Sequence, residues 1–305
     1  MQYTRPLAEL RRADEARFGG KSASLGELLA AGIPVPPGFA LSTSATRAPV
    51  HDEVAARYAE LSESVREPSP AVAVRSSAVG EDSADATFAG QLESYLWVRG
   101  VDEICVAVRD CWASLNSVRA QAYREHLGAE HEAATGVTIQ LMVDAAVSGV
   151  MFTCNPVSGD PSMVAINASW GLGLAVVGGE VTPDDYLVSK VTREVVRERI
   201  STKDVEYRPA ADGRGTMRTE VPPDRANARC LDEQALTRLV DLARQVERHF
   251  GCHQDIEWAI RRSDRELFVL QSRPVTSLPE RPPKAPASAL SLVMSQFGVP
   301  PHASD

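Results

Sequence analysis

The sequence has little of what marks several specialised classes of protein. Its cysteines are few, odd in number and without a Cys-x-x-Cys pair (Cys105, Cys111, Cys154, Cys230 and Cys252), which argues against a disulfide framework and against a zinc site. No apolar run approaches membrane-spanning length, and the first ten residues hold no apolar signal core. With a net charge of −9, nucleic acid is not the expected partner. These absences favour a cytoplasmic protein that binds neither nucleic acid nor membrane.

The chain is long enough to form a substantial core. Its 305 residues, 44% of them hydrophobic, suffice for one large domain or for two lobes. From residue 279 the composition changes, and prolines recur through residue 286. Such a stretch is extended and semi-rigid. We therefore predict one domain over residues 1–278, followed by a proline-rich linker or tail over residues 279–305.

Two short segments near the C-terminus carry the most informative pattern. Residues 255–260 and 267–274 alternate apolar and polar side chains around a polar turn, which predicts a β-hairpin. In that hairpin Glu257 lies almost opposite Gln271, and Arg273 shares the face of Gln271. A carboxylate, an amide oxygen and a guanidinium suit a nucleoside triphosphate with Mg²⁺. Taken alone, the same segment is equally consistent with an ordinary surface hairpin.

Two cationic residues of the N-terminal half are candidate phosphate ligands. Lys21 precedes a helix predicted for residues 22–31, where backbone amides and the helix dipole favour an anion. Arg75 ends a strand predicted for residues 71–75, and a buried arginine needs an anionic partner. The small and polar residues 76–90 predict a loop able to close over phosphates. On its own, Lys21 is also consistent with a solvated residue in a glycine-rich loop.

Several short sequence motifs, spread along nearly the whole chain, accompany the C-terminal hairpin. Together with the hairpin they are Gly19-Gly20-Lys21, Ala73-Val74-Arg75-Ser76-Ser77, Thr87-Phe88-Ala89-Gly90-Gln91, Gly171-Leu172-Gly173 and Val181-Thr182-Pro183-Asp184. In order and spacing the chain resembles, over about residues 14–277, the nucleotide-binding domain of the phosphoenolpyruvate synthase, pyruvate phosphate dikinase and rifampicin phosphotransferase family. The resemblance implies an α+β fold of the ATP-grasp type, with two lobes that enclose a nucleotide site.

The resemblance also implies roles for individual residues and for a partner. Lys21, Arg75 and Arg273 would hold ATP phosphates and act in catalysis, and Glu257 and Gln271 would bind Mg²⁺. The remaining nucleotide contacts that it implies are Thr87, Gly90, Gln140 and Met142, the last two at a hinge strand beside adenine. In the family, ATP is cleaved to AMP and phosphate, and a phosphoryl group passes to a histidine.

None of the six histidines has the Gly-Gly…Ser/Thr-His context that this acceptor histidine has in the family. The expected partners are therefore a phosphohistidine-bearing domain or subunit and a small-molecule acceptor. Transfer of the β- or of the γ-phosphoryl group is left open by the residues. The resemblance implies that this chain is an ATP-dependent phosphotransferase domain of the kinase or dikinase type. The alternatives are an ATP-grasp carboxylate–amine ligase and a non-catalytic nucleotide-binding scaffold.

Some positions depart from the family pattern or are ambiguous. Leu174 stands where the family has a glutamate after Gly-Leu-Gly, and Glu180 is the nearby acid that could replace it. Asp184, in the block after Glu180, could add negative charge near magnesium, but acids after a proline more often cap a turn. His249 and His253 are four residues apart, but Gly251 interrupts any helix between them, so a structural pair is favoured over a metal site.

Overall fold

The computed structural model describes residues 2–80, 94–114, 135–276 and 278. Its strands are β1 (Thr4–Pro6), β2 (Gly38–Leu41), β3 (Val72–Ala78), β4 (Ser94–Val98), β5 (Thr135–Leu141), β6 (Ala145–Phe152), β7 (Met163–Trp170), β8 (Asp184–Ser189), β9 (Val195–Arg199), β10 (Val205–Pro209), β11 (Thr216–Glu220), β12 (Gln254–Arg261) and β13 (Leu267–Pro274). Its α-helices are α1 (Glu15–Phe18), α2 (Gly20–Ala30), α3 (His51–Val65), α4 (Val101–Ser114), α5 (Leu174–Val177), α6 (Pro223–Ala226) and α7 (Glu233–Phe250). The predicted linker over residues 279–305 lies outside the described residues.

The first lobe is built on an antiparallel sheet in the order β1-β2-β5-β3-β4. Because side chains alternate along a strand, its apolar residues face one side. Val72, Val74 and Ile139 are buried there against residues of α3 and α4. Arg75 pairs with Thr138, and Ala73 with Gln140, so the opposite face carries the polar side chains.

The second lobe is an antiparallel sheet in the order β13-β12-β6-β7-β8-β9. One face is covered by α7, whose buried leucines and valines join Ile256, Trp258 and Ile260 in one core cluster. This helix has the predicted ends: Asp232 Oδ1 accepts a hydrogen bond from the Ala235 N–H at 2.7 Å, and Gly251 follows with φ of 71°. The other face of the sheet is directed away from this core.

Two features join the lobes. Residues 142–144 connect β5 of the first sheet to β6 of the second, and the Met142 N–H donates to the Ala71 carbonyl at 2.9 Å. Helix α2 contacts both sheets: Ser22 Oγ lies 2.7 Å from Thr138 Oγ1, and Ser24 Oγ donates to the Ser272 carbonyl at 2.8 Å. The predicted α+β class with two lobes is therefore confirmed.

Several predicted boundaries were wrong. Helix α2 begins at Gly20 rather than Ser22, which places Lys21 in its first turn instead of before it. Strand β3 continues to Ala78, so Arg75 lies in the middle of the strand and not at its end. The five cysteines are all free. None of the described helices combines the length and the apolar character needed to cross a membrane.

Candidate functional site

The predicted hairpin forms with the predicted register. Glu257 and Gln271 are Cα partners on β12 and β13, and Asp255 pairs with Arg273. The register shifts after Glu257, which leaves Leu270 as an extra residue beside Gln271. All four polar side chains therefore lie on the face of the second sheet that is opposite to the α7 core. A carboxylate and an amide oxygen suit Mg²⁺, which takes its other ligands from phosphates and water.

Glu257 and Gln271, the two predicted Mg²⁺ ligands, are too few to enclose a metal ion by themselves. Among the described residues, no group of three or more His, Cys, Asp or Glu side chains could hold a metal ion. Glu257 and Gln271 would thus bind Mg²⁺ only together with oxygens from a ligand. This donor set fits an ion that arrives with a nucleotide better than a permanent structural ion.

An ion pair between Arg75 of the first lobe and Glu257 of the second connects the two lobes. Arg75 Nη1 lies 3.6 Å from Glu257 Oε2, so a residue of the first sheet meets one of the second. The Arg75 side chain is only 16% exposed, whereas that of Glu257 is 41% exposed. Arg75 Nε is buried and has no hydrogen-bond partner among the described residues. Because a buried polar group without a partner is costly, this guanidinium is suited to an incoming anion.

Asp255 is a site residue that the sequence analysis missed. Arg273 donates from Nε and Nη2 to Asp255 Oδ2 at 2.8 and 2.7 Å. Burial raises the pKa of Asp255; Arg273 opposes that rise and Glu257 adds to it. The signal was present, since Asp255 precedes Glu257 by two positions and must share its face. The two hydrogen bonds to Asp255 hold Arg273 in a fixed orientation beside Glu257 and Gln271, the predicted Mg²⁺ ligands.

The first turn of α2, which contains Lys21, packs tightly against β3. Gly19 has φ of 82°, and a Cβ there would lie 1.9 Å from the Ser77 carbonyl oxygen, so only glycine fits. The Ser22 N–H donates to Ser77 Oγ at 3.2 Å. This packing brings the first turn of α2, where backbone amides and the dipole favour anions, to the strand that carries Arg75.

The two predicted adenine contacts have different surroundings. Gln140 is buried on the Arg75 face of the first sheet, and its Nε2 donates to the Pro36 carbonyl at 3.4 Å. Met142 is partly exposed and lies in the connection between the lobes. That location agrees with a hinge, but contact of either side chain with adenine stays a prediction. Thr87 and Gly90 lie outside the described residues.

An apolar cluster adjoins the polar hairpin residues. Its partly buried members, Met142, Leu270 and Tyr207, pack against a buried base. That base consists of Ala71, Trp97, Val143, Ala145, Leu172, Ala259 and Phe268. Leu270 is next to Gln271 in β13, so apolar and polar surfaces meet there.

The glycine-rich segment after β7 is held by the β10–β11 hairpin. The Leu172 N–H donates to the Tyr207 carbonyl at 2.9 Å. Leu174 begins α5 and offers no hydrogen-bonding side chain. Glu180 accepts from Tyr207 Oη at 2.6 Å and from Arg218 Nε at 3.0 Å. These two hydrogen bonds lower the pKa of the Glu180 carboxyl, which is therefore ionised at neutral pH.

The remaining acid noted in the sequence has a structural environment. Asp184 is fully buried and paired with Lys203 at 2.5 Å, and it also accepts from the Cys230 N–H at 3.1 Å. The Asp184 carboxylate is thus occupied by Lys203 and by a backbone N–H, and none of it is exposed to a ligand.

The two histidines have separate carboxylate partners. His249 Nε2 lies 3.4 Å from Glu27, and His253 Nδ1 lies 2.6 Å from Glu247. Each ring is thus engaged with its own acid, which agrees with the structural pair favoured by the sequence.

The chain matches the family described as pyruvate phosphate dikinase, AMP/ATP-binding domain, over residues 46–292. The probable phosphoenolpyruvate synthase of Methanothermobacter thermautotrophicus is 34% identical over 346 residues, which cover 99% of this chain and 50% of that protein. The prodigiosin synthesizing transferase PigC of Serratia marcescens is 38% identical over 286 residues, covering 86% of this chain and 32% of that protein.

Among solved structures, an L-amino acid ligase from Bacillus licheniformis overlays with a TM-score of 0.39 at 13% identity, covering 85% of this chain and 43% of that one. The two antiparallel sheets, with cationic and acidic side chains meeting between them, define a two-lobed α+β domain. The chain belongs to the pyruvate phosphate dikinase AMP/ATP-binding domain family. It spans about half or less of the length of the curated relatives it matches.

Proposed function

We propose that this chain binds ATP with Mg²⁺, cleaves it to AMP and phosphate, and passes a phosphoryl group to a histidine on another domain or subunit. The observation that carries the proposal is the contact of Arg75 with Glu257 across the cleft, together with the buried Arg75 Nε that lacks a partner. A cation from one lobe and a metal-binding carboxylate from the other meet where phosphates would lie.

Each side chain has a specific task in this proposal. Arg75, Lys21 and Arg273 hold the phosphates and neutralise the charge that moves during transfer. Glu257 and Gln271 would hold Mg²⁺, which would supply positive charge to the phosphates when bound. Catalysis would then consist of positioning and electrostatic stabilisation, without a covalent step on these side chains.

The remaining parts of the reaction lie outside the described residues. Thr87 and Gly90, which follow β3 in the sequence, would contact phosphates. The relatives named phosphoenolpyruvate synthase and prodigiosin synthesizing transferase are longer proteins, which supports an acceptor site beyond this domain. We therefore propose a phosphohistidine-bearing partner, a small-molecule final acceptor and action in the cytoplasm.

Product analysis tests this function. The purified chain is incubated with ATP and Mg²⁺, with and without a histidine-bearing domain from a phosphoenolpyruvate synthase, and the nucleotides are separated. We expect AMP and an acid-labile phosphoprotein that form only when both proteins are present. ADP together with a hydroxylamine-trapped acyl phosphate would instead indicate a carboxylate–amine ligase. Nucleotide binding without any cleavage would indicate a scaffold.

A further inference from the structure

The base of the β10–β11 hairpin is attached to the second lobe. The Leu172 N–H, which follows β7, donates to the Tyr207 carbonyl of β10 at 2.9 Å. The buried carboxylate of Glu206 is held by Arg225 of α6, whose Nη2 lies 2.9 Å from Glu206 Oε2. Val205 packs against residues of α5. A hydrogen bond, an ion pair and an apolar contact thus fix this end of the hairpin.

The turn of the same hairpin contacts the first lobe. Arg99, which follows β4, donates from Nε to the Gly213 carbonyl at 2.9 Å. The Gly215 N–H donates to the Trp97 carbonyl of β4 at 3.2 Å. The hairpin therefore extends from one lobe to the other, and we call residues 205–220 the interlobe strap.

Arg99 is held firmly within the first lobe before it meets the strap. Its Nη1 donates to Glu67 Oε1 at 2.7 Å and also to the Ser69 carbonyl, and its side chain is 28% exposed. A third contact, the ion pair of Arg214 with Glu103 of α4 at 2.7 Å, is more than half exposed on both sides. Because exposed ion pairs contribute little, Arg99 is the side chain on which the attachment depends.

The backbone of Trp97 is adapted to this contact. Its φ is 60°, a conformation that favours glycine and is rare for a bulky residue. The pairing of β3 with β4 shifts register between Val72 and Val74, as at a bulge that redirects a side chain. Trp97 is buried in one apolar cluster with Leu172 and Phe268 of the second lobe. A strained residue persists only where its surroundings hold it, and here contacts between the lobes do so.

The strap lies beside the covalent connection between the lobes. Val143, in the connecting residues 142–144, belongs to the same apolar cluster as Trp97. A single connection of this kind permits hinge motion. Rotation of one lobe about it would pull the strap away from Trp97 and Arg99, so a second attachment at this place opposes the rotation.

We propose that the interlobe strap restrains rotation between the two lobes and so keeps Arg75 in contact with Glu257. Release of the turn from Arg99 lets the lobes open about residues 142–144. The restraint acts within the chain itself, without any ligand, so it does not depend on the proposed ATP-binding function.

Hydrogen–deuterium exchange of the full chain, measured without nucleotide, tests this restraint. The reporter is the Met142 N–H at the hinge, which donates to the Ala71 carbonyl at 2.9 Å, because rotation about the connection must loosen this hydrogen bond. In Arg99→Ala we expect the Met142 and Gly215 amides to exchange about fivefold faster, the factor by which one net hydrogen bond changes an opening equilibrium.

A second variant leaves the first lobe unaltered. It replaces residues 211–214 by Asn-Gly, a two-residue turn that suits a hairpin, and it keeps the hydrogen bond of the Ala210 N–H to the Gly215 carbonyl. The Gly213 carbonyl that Arg99 contacts is thereby removed. Exchange at Met142 should again be about fivefold faster.

Arg238→Ala is the matched control. Arg238 of α7 donates from Nη1 to the Arg265 carbonyl, in the turn between β12 and β13, at 2.9 Å. This is the same kind of contact, an arginine on the carbonyl of a hairpin turn, but both residues belong to the second lobe. Its loss should leave exchange at Met142 unchanged. The buried amides of α7 report global stability and should be unaffected in both strap variants.

Two results would overturn the proposed restraint. Unchanged exchange at Met142 in the strap variants, with or without faster exchange in the turn, would mean that the strap is only a surface attachment. Equal acceleration at Met142 and in α7 would indicate a loss of global stability instead of rotation between the lobes.

Discussion

Replacement of Arg75 by methionine separates a binding role from a structural one. The side chain lies in the middle of β3 and is 16% exposed, with Nη1 at 3.6 Å from Glu257 Oε2. Methionine keeps most of the length and removes the charge. It also removes the buried Nε that has no hydrogen-bond partner among the described residues, so the variant eliminates one unfavourable feature of the folded state.

The effect on stability should be small. At 3.6 Å two unit charges attract by about 4–5 kcal/mol at an effective dielectric constant of 20. Glu257 is 41% exposed, so water and salt screen the pair, and measured exposed pairs contribute about 0–1 kcal/mol. We expect the free energy of unfolding of Arg75→Met to change by about 1 kcal/mol or less, a shift of a few degrees in Tm.

The effect on nucleotide binding should be large. Each hydrogen bond to a charged group contributes about 1.5–3 kcal/mol, and an arginine can make two to a phosphate. Loss of the guanidinium should therefore weaken binding of the β,γ-imido analogue of ATP by about tenfold to a thousandfold. Calorimetric titration measures the affinity, and urea unfolding monitored by circular dichroism measures stability.

Arg57→Met is the matched control for this experiment. Arg57 is 17% exposed and pairs with Glu60 at 2.7 Å, but it lies on α3, on the opposite side of the first sheet from the cleft. Its replacement should leave nucleotide affinity unchanged. The reasoning fails if Arg75→Met binds the analogue within threefold of the unaltered chain, or if it loses more than about 3 kcal/mol of stability, as breaking a structural buried pair would.

Three further predictions follow from the charged groups. Glu257→Gln should abolish the gain in analogue affinity on adding Mg²⁺ while leaving metal-free binding equal or tighter, because a negative charge near the phosphates is lost; parallel titrations with and without Mg²⁺ test this, and an unchanged gain would contradict it. Burial raises the pKa of Asp255 in the folded state, so ionisation costs stability as pH rises above the unfolded value of about 3.9. Asp255→Asn should remove that loss in urea unfolding at several pH values while releasing Arg273 and weakening nucleotide binding; a parallel pH dependence in both proteins would exclude this origin. Burial alone would raise the pKa of Glu206. Hydrogen bonds from Arg225 and Arg208 outweigh burial, so the pKa of Glu206 is lowered. The resulting stability is present above the unfolded value of about 4.3 and is lost as pH falls through the folded pKa, so Glu206→Gln should flatten acid unfolding, and an equally steep acid transition would count against the pairing.

The hairpin and the long helix could be predicted because their signals are local. Alternation with a period of two fixed which residues of β12 and β13 share a face, and Glu257 is indeed the partner of Gln271. Helix α7 has a capping aspartate and a terminal glycine at the predicted positions. In both cases the residues that decide the structure lie close together in sequence.

The errors arose where distant segments decide the structure. Arg75 was placed at a strand end because the serines after it suggested a loop, but β5 pairs with β3 as far as Ala78. Lys21 was placed before α2 because two glycines precede it. Contact of Gly19 with Ser77 instead allows the helix to begin at Gly20. Neither contact leaves a periodic signal in the sequence.

Four charged side chains of the candidate site are paired with one another. Arg75 faces Glu257 from the other lobe, and Arg273 is bound to Asp255 within the hairpin. If a phosphate takes Arg75 as its partner, Glu257 is left with an uncompensated charge, which Mg²⁺ would neutralise. If the metal arrives first, Arg75 loses its partner and the phosphate restores one. Each ligand would thus neutralise the charge that binding of the other leaves unpaired. We therefore expect Mg²⁺ to raise the affinity for the nucleotide, and the nucleotide to raise the affinity for Mg²⁺ by the same factor.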